Sequence, residues 1–171
     1  MSNSVTVRTV TTSSDLLACF TVRYEVFVKE QEVPFILEID ARDYLPSTVH
    51  LLVSEGEQPL GTLRIIQDSE YSYHLGRISV LKHARGRGLG RLLVLKAHEA
   101  LAKKLLGEPE CGAGEGAGEI GNGRMVEITL DAQEYAIEFY ERLGYELTDR
   151  ERFLDAGIWH REMKRTLSVD S

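Results

Sequence analysis

Cysteine is nearly absent: the 171 residues hold two, Cys19 and Cys111. They show no metal-ligand spacing and make no disulfide framework. Both read as reduced thiols, the state expected in an intracellular, cytoplasmic setting. Long hydrophobic runs are missing too. No stretch approaches the roughly 20 apolar residues that span a bilayer. Met1-Ser2-Asn3-Ser4 also lacks the basic and apolar regions of a secretory leader. An excess of basic residues is missing as well: 20 Lys+Arg stand against 27 Asp+Glu, a formal net charge of −7. That balance argues against nucleic acid as a partner of the whole surface. What remains is ordinary for a soluble globular chain: 43% hydrophobic and 27% charged. The length suits one domain around one core.

Val5 to Val10 alternates and is β-branched, which predicts a first strand. Ser13, Ser14 and Asp15 offer helix N-caps, and Leu16, Leu17, Phe20, Tyr24, Phe27 and Val28 follow at helical spacing. Pro34 closes that helix, and an acidic irregular stretch with Glu38, Asp40 and Asp43 comes next. His50 to Glu55, Leu60 to Gln67 and Tyr71 to Leu81 read as three successive strands, the first two around a turn at Gly56-Glu57-Gln58-Pro59. A Gly/Arg loop, His83 to Gly90, leads into a long helix ending near Leu106. Its face is outlined by Leu89, Leu92, Leu93, Lys96, Ala97, Ala100, Leu101 and Leu105. Gly107 to Gly123 has almost no large apolar residue and reads as a mobile loop. Arg124 to Leu130 is a strand, Gln133 to Leu143 an amphipathic helix with Gly144 at C′, and two last strands, Tyr145 to Asp149 and His160 to Leu167, flank a turn at Asp155-Ala156-Gly157. The order predicts an α/β fold: one domain with a mixed, mostly antiparallel sheet and helices on both faces.

The segment Arg85-Gly86-Arg87-Gly88-Leu89-Gly90 carries the strongest chemical signal. It lies between a strand and a helix, where helix N–H groups are unpaired and the dipole is positive. Glycines allow positive φ and close approach to an anion, and Arg85, Arg87 and Arg91 add forked donors. A glycine-rich turn with solvated arginines is the plain alternative. A dinucleotide fold would want G-x-G-x-x-G after the first strand of repeated βαβ units, and a P-loop would want Gly-Lys-Ser/Thr; neither is here.

Arg-x-x-Gly-x-Gly in that context resembles the signature of the GCN5-related N-acetyltransferase (GNAT) family. Downstream, Gln133, Ala136, Tyr140, Gly144 and Tyr145 are similar to the family's second cofactor segment. Arg23 to Pro34 and Asp155 to Met163 resemble its ElaA-like or YjcF-like branch. The resemblance runs from about Leu16 to Leu167; the Gly/Glu-rich insertion departs from it. It implies a GNAT-like fold, acetyl-CoA as cosubstrate, no metal, and a homodimer as the common assembly. It further implies cofactor contacts from Ile78, Ser79, Val80, Arg85, Gly86, Arg87, Gly88, Leu89, Gly90, Arg91, Gln133, Ala136, Phe139 and Tyr140. The strand before the loop is expected to part from the next one and pair with the pantetheine arm, with the Val80 N–H polarising the thioester carbonyl.

Acyl transfer also needs a proton for the departing thiolate and a base for the amine. A phenol keeps its proton at neutral pH, so Tyr140 is the expected acid, although beside Phe139 it also reads as a core residue. Glu30, Asp40, Asp43 and His160 are candidate bases, with His74 a further one; each reads equally as a solvated or structural side chain. The expected reaction is transfer to a small amine, such as an amino sugar, polyamine or amino acid. A protein lysine or N-terminus, or acyl-CoA binding without catalysis, are the alternatives. Replacing Gly107–Gly123 by a short bridge should leave the melting temperature within a few degrees of the parent; a collapse in thermal unfolding would show that this segment carries core contacts.

Overall fold

The computed structural model describes residues 4–107 and 124–169. Cys111 and most of the expected loop lie outside the described residues, as does the side chain of Leu105. The chain runs β1 (Val5–Thr9), α1 (Ser13–Arg23), α2 (Phe35–Glu38), β2 (Val49–Glu55), β3 (Gln58–Ser69), β4 (Ser72–Val80), α3 (Leu89–Gly107), β5 (Arg124–Gln133), α4 (Ile137–Glu141), β6 (Glu146–Leu147), β7 (Phe153–Asp155) and β8 (Ile158–Val169). The strands form one sheet in the order β1-β2-β3-β4-β5-β8-β6, with β7 also on β8. Every pairing is antiparallel except β4 with β5. A parallel pair needs a long crossover, and α3 lies within that connection.

Alternation along the strands separates two packed faces. Leu51, Val53, Leu63 and Ile65 join the main core with Leu93, Val94 and Ala97 of α3. His50 and Arg64 point the other way, toward Phe20 of α1 and toward Asp43. The mixed, mostly antiparallel sheet with helices on both faces is therefore as expected. Of the outlined α3 face, Leu89, Leu93, Ala97 and Leu101 are buried.

Several local expectations are corrected. Thr12 caps α1 by accepting the Asp15 N–H, while Asp15 binds Arg8 instead. The buried stripe of this helix is Cys19, Val22, Arg23 and Val26; Leu17 and Tyr24 are exposed. The phase was misread because a buried arginine looks like a polar-face residue. The helix then continues from Tyr24 to Glu30 as a π-helix, where the Gln31 N–H bonds Val26 O five residues back. The acidic stretch is ordered, with α2 and a 3₁₀ turn at Ala41–Tyr44 capped by Asp40. The expected helix from Gln133 opens on the last strand residue and a 3₁₀ turn at Glu134–Ala136, and only Ile137–Glu141 is α-helical. Gly144 does end it at φ +81°. The turn at Ala156-Gly157 joins β7 to β8, with φ +47° and +80°, as a two-residue hairpin loop requires. β7 was not foreseen, because three residues are too few to show a period.

A buried ion cluster fixes the α2 segment against the sheet. Arg23 reaches Glu38 Oε1 at 2.6 Å and Asp43 Oδ1 at 2.7 Å, and also bonds the Glu38 carbonyl. Arg64 adds a 2.7 Å bond to Asp43 and one of 3.1 Å to Asp40. Arg77 lies 3.4 Å from Glu38 and 3.6 Å from Asp40. Burial raises the proton affinity of Asp43, but the bonds from Arg23, the Asp40 N–H and Arg64 outweigh it and hold its pKa well below the carboxylate range. Burial pushes Glu38 up despite Arg77 and Arg23. A depressed carboxyl adds stability that is present above its unfolded value of about 3.9 and is lost as pH falls below it. Asp43→Asn should therefore cost about 3–5 kcal/mol in denaturant unfolding at neutral pH, because it strands a buried charge. The gap to the parent should shrink as pH drops below about 4; a neutral-pH difference under about 1 kcal/mol would show that the cluster contributes nothing net.

Candidate active site

β4 and β5 pair only from Ser72↔Glu127 to Leu75↔Leu130, although β4 runs on to Val80 and β5 to Gln133. Two features drive them apart. Arg77, at φ +53°, sits in a bulge where the β3 register shifts between Thr62 and Arg64. β5 meanwhile stays with β8, pairing Asp131↔Glu162, Ala132↔Arg161 and Gln133↔His160. A cleft of about 590 Å³ opens between the parted strands.

The inner edge of β4 is available there. The Leu81 N–H donates to Leu60 O on β3, so by strand alternation the Val80 N–H points to the open side. The Val80 carbonyl on that side accepts Arg85 Nε at 3.0 Å. Ile78, Ser79, Val80, Arg85, Gln133, Ala136 and Tyr140 all line the cleft. Gly86, Arg87, Gly88, Leu89, Gly90, Arg91 and Phe139 do not.

The loop after Arg85 nevertheless has the open, glycine-rich backbone that an anion site requires. Gly86 and Gly88 have φ +76° and +75°, and a Cβ on either would meet nothing within 4 Å. Their conformation and open surroundings leave room for a ligand against the backbone, at the N-terminus of α3 where N–H groups lack helix partners. Gly90 differs: a Cβ there would make ordinary contact with the Phe139 ring at 3.4 Å. Leu89 is a buried core residue, and Arg91 is exposed. Arg87 is paired with Glu55 at 2.7 Å. The cradle and the free β4 edge fit the pyrophosphate and the amide-rich arm of a coenzyme A thioester.

Tyr140 is 8% exposed, packs edge-on against Phe139 and Tyr145, and reaches the cleft. Burial pushes its pKa well up, so its proton stays on across the physiological range. His160 also lines the cleft, stacked on Phe153. Its Nδ1 lies 2.8 Å from Ile158 O, which can only accept, so Nδ1 carries the proton and Nε2 is the basic nitrogen. His74 lines the same space with Nδ1 3.1 Å from Thr129 Oγ1, and burial lowers its pKa. Glu30 is corrected as a base: Arg85 takes both of its oxygens, at 2.6 and 2.7 Å, and that pairing lowers its pKa. Asp40 and Asp43 belong to the ion cluster and hold the segment in place.

Three cleft features carried no signal in the sequence. Gln31 and Gln133, 102 residues apart, exchange amide hydrogen bonds of 2.9 and 3.2 Å. Arg77 marks the bulge, and Asp131 is the first β5 residue beyond the last pair with β4. Only the chain's return through α3 makes these residues neighbours. Among the described residues no group of three or more His, Cys, Asp or Glu could hold a metal, and no helix is long and apolar enough to cross a membrane.

Residues 24–167 match the acetyltransferase (GNAT) domain family. The uncharacterized N-acetyltransferase YjcF of Bacillus subtilis (strain 168) is 36% identical over 146 residues, covering 85% of this chain and 89% of that one. An acyl-CoA N-acyltransferase from Pseudomonas aeruginosa has a similar crystal structure, with TM-score 0.74 at 28% identity over 95% of this chain and 99% of that one. Escherichia coli ElaA shares the fold, with TM-score 0.75 at 23% identity over the same shares of the two chains.

The cradle geometry makes a direct prediction. Gly88→Ala places a methyl group in open space and strains a positive-φ residue by roughly 1 kcal/mol. It should lower acetyl-CoA affinity at least about tenfold, more than that strain alone would explain if it were all lost on binding. Calorimetric titration of the folded variant checks this, and unchanged affinity would remove the loop from the cofactor site.

Proposed function

The chain belongs to the GNAT acetyltransferase family and is an acyl-CoA-dependent N-acetyltransferase; from that premise we propose that it moves an acetyl group from acetyl-CoA to a small primary amine by direct attack. The observation that carries the small-acceptor reading is the closure of the cleft on its α1 side. The segment from Gln31 to Asp43 is fixed over it by the Arg23–Glu38 and Arg23–Asp43 ion pairs, the Arg77 bonds to the Leu37 and Glu38 carbonyls, and the Gln31–Gln133 amide pair. A peptide would need an open groove there.

The cofactor's pyrophosphate is held on the Gly86–Gly90 backbone with Arg85 beside it, and its arm runs along the free edge of Ile78, Ser79 and Val80. Gln133 and Ala136 form the opposing wall. The Val80 N–H points to where negative charge develops on the thioester oxygen. His160 Nε2 takes the proton from the attacking amine, which is mostly protonated at neutral pH and must give it up before attack. Tyr140 returns a proton to the departing sulfur. Its raised pKa makes it a reluctant acid in water, but the burial that raises it also makes a thiolate in the same place more basic.

The reading is tested by CoA release from acetyl-CoA over a panel of small amines and lysine peptides, with release expected for small amines alone. Tyr140→Phe keeps the ring and removes one hydroxyl that makes no hydrogen bond among the described residues, so folding and acetyl-CoA affinity should be retained. The rate constant kcat should fall about 10²–10⁴-fold, the usual worth of general acid help. A variant with parental kcat would return Tyr140 to a packing role.

A further inference from the structure

One cleft carboxylate on β5 has no task in this chemistry and only long ion pairs, with no hydrogen bond among the described residues. Glu30 is taken by Arg85, and Glu38 and Asp40 are matched by Arg23, Arg64 and Arg77. Asp131 differs. It lines the cleft, its side chain is 34% exposed, and it makes no hydrogen bond among the described residues. Its nearest cationic groups are His74 Nε2 and Arg150 Nη1, each 3.9 Å away. Arg150 is committed to Glu162 at 3.1 Å. His74 has its pKa lowered by burial, opposed by Asp131 and Asp68, so near neutral pH it brings no charge to Asp131. Asp155, exposed on the same lining, adds charge of the same sign.

The position of Asp131 gives this charge a use. It shares a strand face with Gln133, two residues on, and Gln133 pairs with His160. Asp131 is therefore a diagonal neighbour of His160 across β5 and β8, and such neighbours lie about 7–8 Å apart, within reach of a short methylene chain between two nitrogens. An acceptor α-carboxylate would be repelled by Asp131 and Asp155, and a neutral hydroxyl-rich acceptor would leave Asp131 unmatched.

Resting on the small-amine reading above, we infer that the acceptor is a diamine or oligoamine, its reacting nitrogen at His160 and its remote ammonium held by Asp131. The second cation supplies the partner that the fold withholds from this carboxylate, and charge-assisted bonds of that kind are among the stronger ones available. Asp131 is then a specificity-determining residue rather than a base: it touches the acceptor but moves no proton.

Steady-state CoA release with diaminobutane, butylamine, lysine and glucosamine tests this in the parent and in Asp131→Asn. The parent should favour diaminobutane over butylamine in kcat/KM by about tenfold or more. Asp131→Asn should abolish that ratio mainly through the diamine KM, with acetyl-CoA KM and melting temperature close to the parent's. Asp131→Glu should restore part of it. Equal use of the two amines, a diamine preference that survives in Asp131→Asn, or a uniform loss for both amines in that variant would each overturn the inference. Release with butylamine or glucosamine but not diaminobutane would sink the inference and leave the small-amine function standing, whereas release with none of the four would overturn both.

Discussion

The separation of β4 from β5 is the constraint on which the functional architecture depends. Two parallel strands that stayed paired would satisfy each other's backbone along their length and leave nothing for a ligand to bind. Here the pairing ends at Leu75 and Leu130 while both strands continue. The Arg77 bulge bends β4 with β3, and β8 retains β5. The unpaired edge of β4 is a row of hydrogen-bonding groups facing the cleft rather than bulk solvent. Its completion by an extended amide-bearing ligand is the same physics that closes a sheet edge with another strand.

The ion cluster around Arg23 makes the wall opposite that edge dependable. Residues 34 to 45 contain Phe35, Ile36, Leu37, Tyr44 and Leu45, all substantially exposed, so apolar burial cannot be what holds the segment down. Charge does it instead. Glu38 and Asp43 are almost fully buried against Arg23, and Arg64 comes in from the sheet. A buried ion pair need not add net stability over an apolar replacement, but it is demanding of geometry. In this fold it places Glu38, Arg77 and Asp40 in one arrangement at the border of the cleft.

Glu30 and Gln31 tie that wall to both strands of the opening. Glu30 grips Arg85 after β4, and Gln31 grips Gln133 at the end of β5. Glu30 is the last residue of the π-helical stretch and Gln31 its C-cap, so the wider turn sets the phase of both side chains. Arg85 and Gln133, both expected to meet the cofactor, are thus already engaged by the N-terminal segment.

Element order, the strand–loop–helix around Arg85 to Gly90, and the Gln133-to-Tyr145 segment were legible in the sequence, because they rest on local periods, positive-φ glycines and fixed spacings. So were Tyr140 and His160 as cleft residues. The face of α1 is hidden from a local reading by the buried Arg23 and the π-helical turn, whereas β7 is too short to show a period. Sequence by itself determined which groups could do the chemistry. Tertiary structure alone decided their states: that Glu30 is spent on Arg85, that Asp43 is structural, and that Asp131 has only long ion pairs in the lining of the cleft. Those outcomes depend on pairings between residues dozens to a hundred positions apart, and on desolvation, neither of which is written in any stretch short enough to read in one dimension.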